Sequence, residues 1–446
     1  MGTIMTKIRQ LMSRKKTSGD ILAYLLGLTS TIQIFEVFGI TLFTIMTLIC
    51  GGFIVLTRRR LYFGGKWFLV YFLSVAMSVL ASVTLLPSYH IPREDDWIKY
   101  SVEGALITTM LYFAYVFLST DKGKKRTLFF RGLYHSCVLQ LFWSYFQYTF
   151  ATVTGKNINQ ILFADILQMW SGNITQYKNG HIAISGLNVN AGLLPPILMF
   201  LYVYTSKKWI RVLLLLLFFI SGSSTMALCG LMLLGISMFV KMKEMRSNGI
   251  RIRANYLVSS AAIGVAAATV IFQPNIYNRM YDIFSLLVSR LTSVRSANYL
   301  DGSTFAHARY FTSIPYILSN INPINALFGF GIRCGGVPFV KFFNQYPDLI
   351  YGTECDITLS LYGMGLVGLA VMYWLLFCIV LKGKKLDSKY LVFIVPIILS
   401  GLFYSIQLNW VLLVEWMLFW GVKRKMDFTS LMMDVKLKSM EKTKKF

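Results

Sequence analysis

Residues 209–240 read WIRVLLLLLFFISGSSTMALCGLMLLGISMFV, and the number of times this stretch crosses a bilayer decides the topology of the whole chain. One membrane helix takes about 20 apolar residues, so the run is too long for a single ordinary span. Its Ser221-Gly222-Ser223-Ser224 break divides it into two short helices. The flanks discriminate between one crossing and two. Lys207, Lys208 and Arg211 stand at its start, and Lys241, Lys243, Arg246, Arg251 and Arg253 follow it. Short basic loops stay cytoplasmic. Two crossings keep both flanks on that side, whereas one would put the second flank outside, so a hairpin meeting near the outer surface is expected.

Working outward, apolar runs predict further crossings near 17–34, 38–57, 66–86, 98–119, 128–150, 187–205, 254–272, 356–381, 388–406 and 408–422. The expected fold is an all-α polytopic membrane protein of about 12 transmembrane helices (11–12) with both termini cytoplasmic. Residues 1–422 form one multi-pass domain and 423–446 a basic cytoplasmic tail. About 34 of the 44 Lys and Arg then fall on one face, in clusters such as Arg58-Arg59-Arg60, Lys122 with Lys124, Lys125 and Arg126, and Lys382 with Lys384 and Lys385.

Composition agrees with lipid as the solvent: 56% of the 446 residues are hydrophobic, 14% are charged, and the mean hydropathy is +0.58. A net charge of +25 would point to nucleic acid in a soluble protein. Here the basic residues flank apolar segments, so no nucleic-acid partner is expected. The basic stretch from Met1 to Lys16 leads straight into membrane sequence, so the first helix serves as its own insertion signal. The expected location is a bacterial inner (plasma) membrane. Cys50, Cys137, Cys229 and Cys378 lie inside apolar runs, leaving Cys334 and Cys355 on the loop side, where they could pair. No metal-ligand spacing is present.

Two outer loops are long enough to carry function: 151–186, and 273–353 between the helices near 254–272 and 356–381. The first holds an apolar stretch over 157–170 that predicts a helix lying at the interface. The second carries Arg279, Arg290, Arg295, Arg309 and Arg333. A guanidinium grips phosphate bidentately and stays ionised, so an outer Arg cluster beside a bilayer suits a lipid-borne diphosphate. Each one taken singly also fits nonspecific contact with lipid phosphates or with loop carbonyls.

Gly186-Leu-Asn188-Val-Asn190-Ala-Gly192, the Ser221-Gly-Ser-Ser-Thr225 break, Arg309 followed by Asn322-Pro323, Leu327-Phe328-Gly329-Phe-Gly331, and Glu354 leading to Gly363, Gly365 and Gly368 occur in that order. Over roughly residues 180–370 this set resembles the O-antigen polymerase and ligase superfamily. The resemblance implies a helical bundle with a periplasmic loop packed over an outward-open cavity. It also implies glycosyl transfer from an undecaprenyl-diphosphate-linked saccharide with neither nucleotide sugar nor metal nor other cofactor. The polymerase branch transfers the growing polysaccharide to an incoming lipid-linked repeat unit; the ligase branch transfers it to lipid A core. Thr225 stands where many relatives have Arg, and Glu354-Cys355 where ligases have His-Asn. The acidic residue suits the polymerase branch.

Such chemistry needs a general base for the acceptor hydroxyl, cations for the leaving diphosphate, and in-line positioning. Glu354, where the large loop re-enters the membrane, is the first candidate base and Asp356 the second. Both also fit an ordinary helix N-terminus. Arg309, on a predicted helix over 305–318, is the first choice for the diphosphate, with Arg279, Arg333, Arg290 and Arg295 as further substrate contacts. His307, His181, Asn188 and Asn190 complete the candidate set, although His307 also suits a plain surface residue and Asn188 a helix cap.

Glu36, Glu103 and Glu415 are read as lying near helix ends, and this scarcity of deep ionisable groups argues against a proton-coupled pump. The expected function is polymerisation of lipid-linked repeat units for a surface polysaccharide, be it O-antigen, capsule or exopolysaccharide. A ligase or a lipid-linked oligosaccharide flippase are the alternatives; no internal repeat of the flippase kind is visible. The implied partners are the undecaprenyl-diphosphate-linked oligosaccharide, membrane lipids, and a chain-length regulator and flippase of the same pathway.

Overall fold

The computed structural model describes residues 18–37, 40–57, 66–89, 94–120, 123–168, 184–188, 191–221, 224–247, 313–343, 355–401 and 409–426. These residues are almost wholly helical. In chain order they form α1 (Ser18–Thr29), α2 (Leu42–Thr57), α3 (Lys66–Tyr89), α4 (Glu94–Leu118), α5 (Lys124–Thr154), α6 (Pro195–Tyr204), α7 (Lys208–Ile220) and α8 (Ser224–Ser247). The short α9 (Ile314–Asn320), α10 (Pro323–Phe328) and α11 (Val337–Phe343) precede α12 (Asp356–Gly383), α13 (Lys389–Ser400) and α14 (Asn409–Lys423). One antiparallel pair of two-residue strands, β1 (Glu36–Val37) and β2 (Ile40–Thr41), closes the turn between α1 and α2.

Three of these helices are long and apolar enough to cross a membrane, over Trp67–Thr84, Trp97–Leu118 and Asp356–Gly383; several shorter ones are equally apolar. Their outer surfaces carry large exposed apolar side chains, among them Leu69, Leu73 and Leu80 on α3 and Val212, Leu216 and Phe219 on α7. That surface is compatible with a lipid solvent. The 209–240 run does divide as expected: α7 ends at Ile220 and α8 begins at Ser224. The two form a hairpin in which Gly230 lies so close that an added Cβ would sit 2.7 Å from the Phe218 side chain.

Helices α3, α4 and α14 meet in an aromatic core. Phe68 stacks on Tyr115 at 5.1 Å and meets Trp416 edge-on at 5.4 Å, while Phe72 meets Tyr112 at 4.8 Å. Such geometry adds to simple area burial. Helices α1 and α5 approach through reciprocal glycines: a Cβ at Gly27 would lie 2.0 Å from the Phe129 carbonyl oxygen, and one at Gly132 would lie 2.1 Å from that of Tyr24.

The helix ends sort by charge. Lys124 at the start of α5 pairs with Asp20 at the start of α1, and Lys125 sits over the rings of Phe53 and Phe117 near the ends of α2 and α4. Arg126 stacks on Trp420 near the end of α14, Tyr390 at the start of α13 donates to the Met426 carbonyl, and Ser388 donates to Glu244 near the end of α8. One end of the bundle is thereby rich in Lys and Arg. Ser221 follows the last residue of α7 and Asp356 opens α12, the ends away from Lys208 and Lys382, while Ser185 and Gly329 lie between helices.

Several expectations need correction. Of the helix predicted over 305–318, residues 305–312 lie outside the described residues; the described part is helical from Ile314, with Pro315 in its first turn. The stretch expected to be helical over 157–170 is helical where it is described, with π-helical turns over Gln160–Ile166; it buries Phe163 and exposes Ile166 and Leu167. The run at 187–205 becomes a regular helix only at Pro195, again a first-turn proline. Glu415 is not near a helix end: it lies inside α14, only 3% exposed, and Glu103 lies well inside α4. Cys334 and Cys355 are both buried free thiols and do not pair. The expected crossing near 254–272 lies outside the described residues.

Candidate functional site

The glycines of the Leu327–Gly331 segment meet those of α12 backbone to backbone. Gly365 interrupts α12 at φ 72, ψ −175, a conformation that only glycine adopts freely. This break frees carbonyls that the incoming segment uses: the Phe330 N–H donates to the Tyr362 carbonyl at 2.7 Å, and that of Gly331 to the Gly363 carbonyl at 3.0 Å. A Cβ on Gly329, itself at φ 80, would lie 2.4 Å from the Gly363 oxygen, and one on Gly365 would lie 2.2 Å from the Leu327 carbonyl. The Phe330 carbonyl in turn accepts from the Trp97 indole and the Ser82 hydroxyl, and the Asn325 amide donates to the Gly329 carbonyl at 2.8 Å. The helices α9–α11 are thus locked onto α3, α4 and α12.

That lock sets Arg333. Gly104 of α4 has no side chain to obstruct it; a Cβ there would meet the Ile332 and Arg333 side chains at 2.4 and 2.6 Å. Arg333 lies across the gap and its Nη1 donates to Glu103 Oε1 at 2.8 Å, with both side chains nearly half exposed, 45% and 44%. A pair this accessible leaves the guanidinium able to exchange one anion for another.

Asp356 stands at the first turn of α12 and is 1% exposed. Its backbone N–H donates to the Gly401 carbonyl at 3.0 Å, the Cys355 thiol donates to the same oxygen at 3.4 Å, and the Asp356 carboxyl would contact a Cβ on Gly401. Burial pushes the Cys355 thiol up to about 11. Ser400 beside Gly401 shares a hydrogen bond of 2.8 Å with Cys229 of α8.

Asn188 belongs to a buried polar knot. Gln147 Oε1 accepts from the N–H groups of Ser185 and Gly186 at 3.1 and 3.0 Å, and Gln140 Oε1 accepts from that of Leu187 at 2.7 Å. The Gln147 amide donates to Asn157 Oδ1 at 3.1 Å, and Asn159 Nδ2 donates to the Gly186 carbonyl at 2.6 Å. The Leu187 carbonyl accepts from Gln33 and Ile34, and the Ile184 N–H donates to the Ser221 carbonyl at 3.0 Å, tying the turn to the hairpin break. Asn188 Nδ2 donates to the Ser185 carbonyl at 3.0 Å, while its Oδ1 and the Ser144 hydroxyl, both buried, have no hydrogen-bond partner among the described residues. Asn188 therefore caps its own turn and is not presented to an open cleft.

Of the predicted site residues, Arg333, Asp356 and Asn188 are described, and each has its own set of partners. Glu354, Arg309, Arg279, Arg290, Arg295, His307, His181 and Asn190 lie outside the described residues. Sequence reasoning passed over Gln140, Ser144 and Gln147, which share one buried face of α5, and over Glu103 as the partner of Arg333. Polar residues seven apart within an apolar run were the available signal. Among the described residues no group of three or more His, Cys, Asp or Glu is arranged to hold a metal ion. Neither the protein-family models nor the curated proteins contain a match to this chain.

Proposed function

We propose that the protein is a polymerase of lipid-linked oligosaccharide repeat units, working at the outer face of a bacterial plasma membrane. In this reading the chain crosses the bilayer about twelve times, with both termini and the Lys- and Arg-rich end cytoplasmic. The observation that supports it most is the gathering of the described motif residues away from the Lys- and Arg-rich end. Gly186 and Ser221 are tied through Ile184, Ser400 links α8 to the Asp356 turn, and Gly329 and Gly331 sit on Gly363. Residues widely separated in sequence share that region, as a site for a lipid-borne substrate requires.

The reaction joins an acceptor hydroxyl of the incoming unit to the anomeric carbon of the donor sugar. The bond from that carbon to the lipid diphosphate breaks, the diphosphate leaves as an anion, and the hydroxyl proton goes to a base. Glu354 is the base in this scheme, since Asp356 is sealed from solvent and holds the start of α12 against Gly401. Arg333, with Arg309 and its neighbours in the same loop, takes up the charge that develops on the leaving group. The half-exposed Glu103 pairs with Arg333 until diphosphate replaces it.

Deleting the gene and resolving the surface polysaccharide on a gel tests the assignment. Single repeat units on the anchor are the expected result; unattached polymer points instead to the ligase, and an unchanged profile removes both. Arg309→Ala is expected to abolish polymer while the protein stays inserted, and Arg309→Lys to do the same, because a point charge lacks the planar fork. Full activity in both variants takes Arg309 out of the site.

A further inference from the structure

The Lys- and Arg-rich end of the bundle buries a cation that has no counter-charge among the described residues. Arg126 lies in the first turn of α5 and is 3% exposed. Its guanidinium stacks on the Trp420 indole, with Cζ 4.1 Å from the ring centroid, yet its Nε and Nη1 have no hydrogen-bond partner among the described residues. Leaving N–H groups of a charged side chain bare in a buried position is costly. Burial lowers the group to about 10, with Tyr115 and Tyr390 opposing the shift, so it carries its charge at neutral pH.

The surroundings concentrate positive charge instead of relieving it. Arg424 places its Cζ 5.4 Å from the same Trp420 ring, so two guanidinium groups share one indole. Lys125 is itself buried, over the Phe117 ring at 4.5 Å, and donates to Thr120 Oγ1. Asp20 is engaged by Lys124. Among the described residues no carboxylate pairs with Arg126 or Arg424. Gly123 adopts φ 96, and a Cβ there would fall 2.6 Å from Arg126 Nη2, so the turn before α5 accepts the guanidinium only because it is made by glycine.

We propose that Arg126, Arg424 and Trp420 form a binding site for a phosphate group, carried by a phospholipid headgroup or by a soluble phosphate ester. A phosphate presents several acceptor oxygens to the Arg fork and cancels the repulsion between the two cations. This site is independent of the polymerase reading and lies at the opposite end of the bundle from it.

The full-length protein, purified in detergent, is titrated with phosphatidylglycerol, with the phosphate-free diacylglycerol of the same chains, and with glycerol 3-phosphate. Bound lipid is read by native mass spectrometry and thermal stability is followed alongside. Retention of phosphatidylglycerol over diacylglycerol, falling about tenfold in Arg126→Gln, is the expected result for a lipid source. Stabilisation by glycerol 3-phosphate, lost in the same variant without any preference among the lipids, assigns the soluble source. Should Arg126→Gln fail to fold, the exposed Arg424→Gln carries the test, with a loss of about threefold expected. Equal binding of all three probes, no binding of any, or binding unchanged in the variants overturns the proposal.

Discussion

At the level of single residues, the glycines of the Leu327–Gly331 segment and of α12 are explained by backbone approach, without reference to any substrate. Gly365 at φ 72, ψ −175 and Gly329 at φ 80, ψ −169 both occupy a region closed to side chains. Gly365→Ala is expected to cost about 1–3 kcal/mol of strain, plus the clash with the Leu327 carbonyl. A lowered unfolding temperature of the purified protein checks it; an unchanged one means α12 is not broken at this point. Gln147 is the other such residue. Its one oxygen serves two N–H groups, so Gln147→Leu leaves both buried and unpaired, at about 1–3 kcal/mol for each. Gln147→Glu keeps the acceptor but loses the donation to Asn157 Oδ1 and buries a carboxyl group, so it is expected to lower the unfolding temperature as well. Arg126 was legible only as one more member of a basic cluster, since nothing in the sequence says that Trp420 lies under it.

For the elements, small residues decide how closely helices approach. Helices α1 and α5 touch through Gly27 and Gly132, each facing a carbonyl of the other helix. Where lipid is the solvent, packing of this kind replaces the hydrophobic drive as the source of helix association. Gly132→Leu is therefore expected to force the pair apart, at a cost on the order of 1–3 kcal/mol or more, and to reduce the yield of monodisperse protein. Normal yield and normal unfolding would show that the two helices do not meet there. The positions of the helices were legible because apolar runs mark them, although Pro195 as a first-turn residue was passed over. Their rotation was not. On α7 the buried Leu214 and Leu217 and the exposed Val212 and Leu216 are equally apolar, so hydropathy carries no record of which face meets the bundle.

Across the whole molecule, segregation of charge between the two ends yields a labelling prediction. All six cysteines are buried in the folded chain, and maleimide needs an accessible thiolate. The parent protein is expected to resist a membrane-impermeant maleimide in intact cells. Lys341→Cys, in α11, is expected to label from outside, and Lys384→Cys, just past α12, only after the membrane is permeabilised. The reverse pattern, or equal labelling of both, would sink the topology and with it an outward-facing polymerase site.

Composition, run length and the spacing of Lys and Arg along the chain determined by themselves that this is a helical protein with a basic end, and that residues 209–240 make a hairpin. These are properties of local segments, written in consecutive residues. Only the tertiary structure decided that Arg333 answers Glu103, that Gln147 holds the Gly186 turn, and that Asp356 is sealed against Gly401. Each of those contacts joins residues brought together by helix packing, and between apolar helices the packing is set by shape and by hydrogen bonds that no hydropathy pattern encodes.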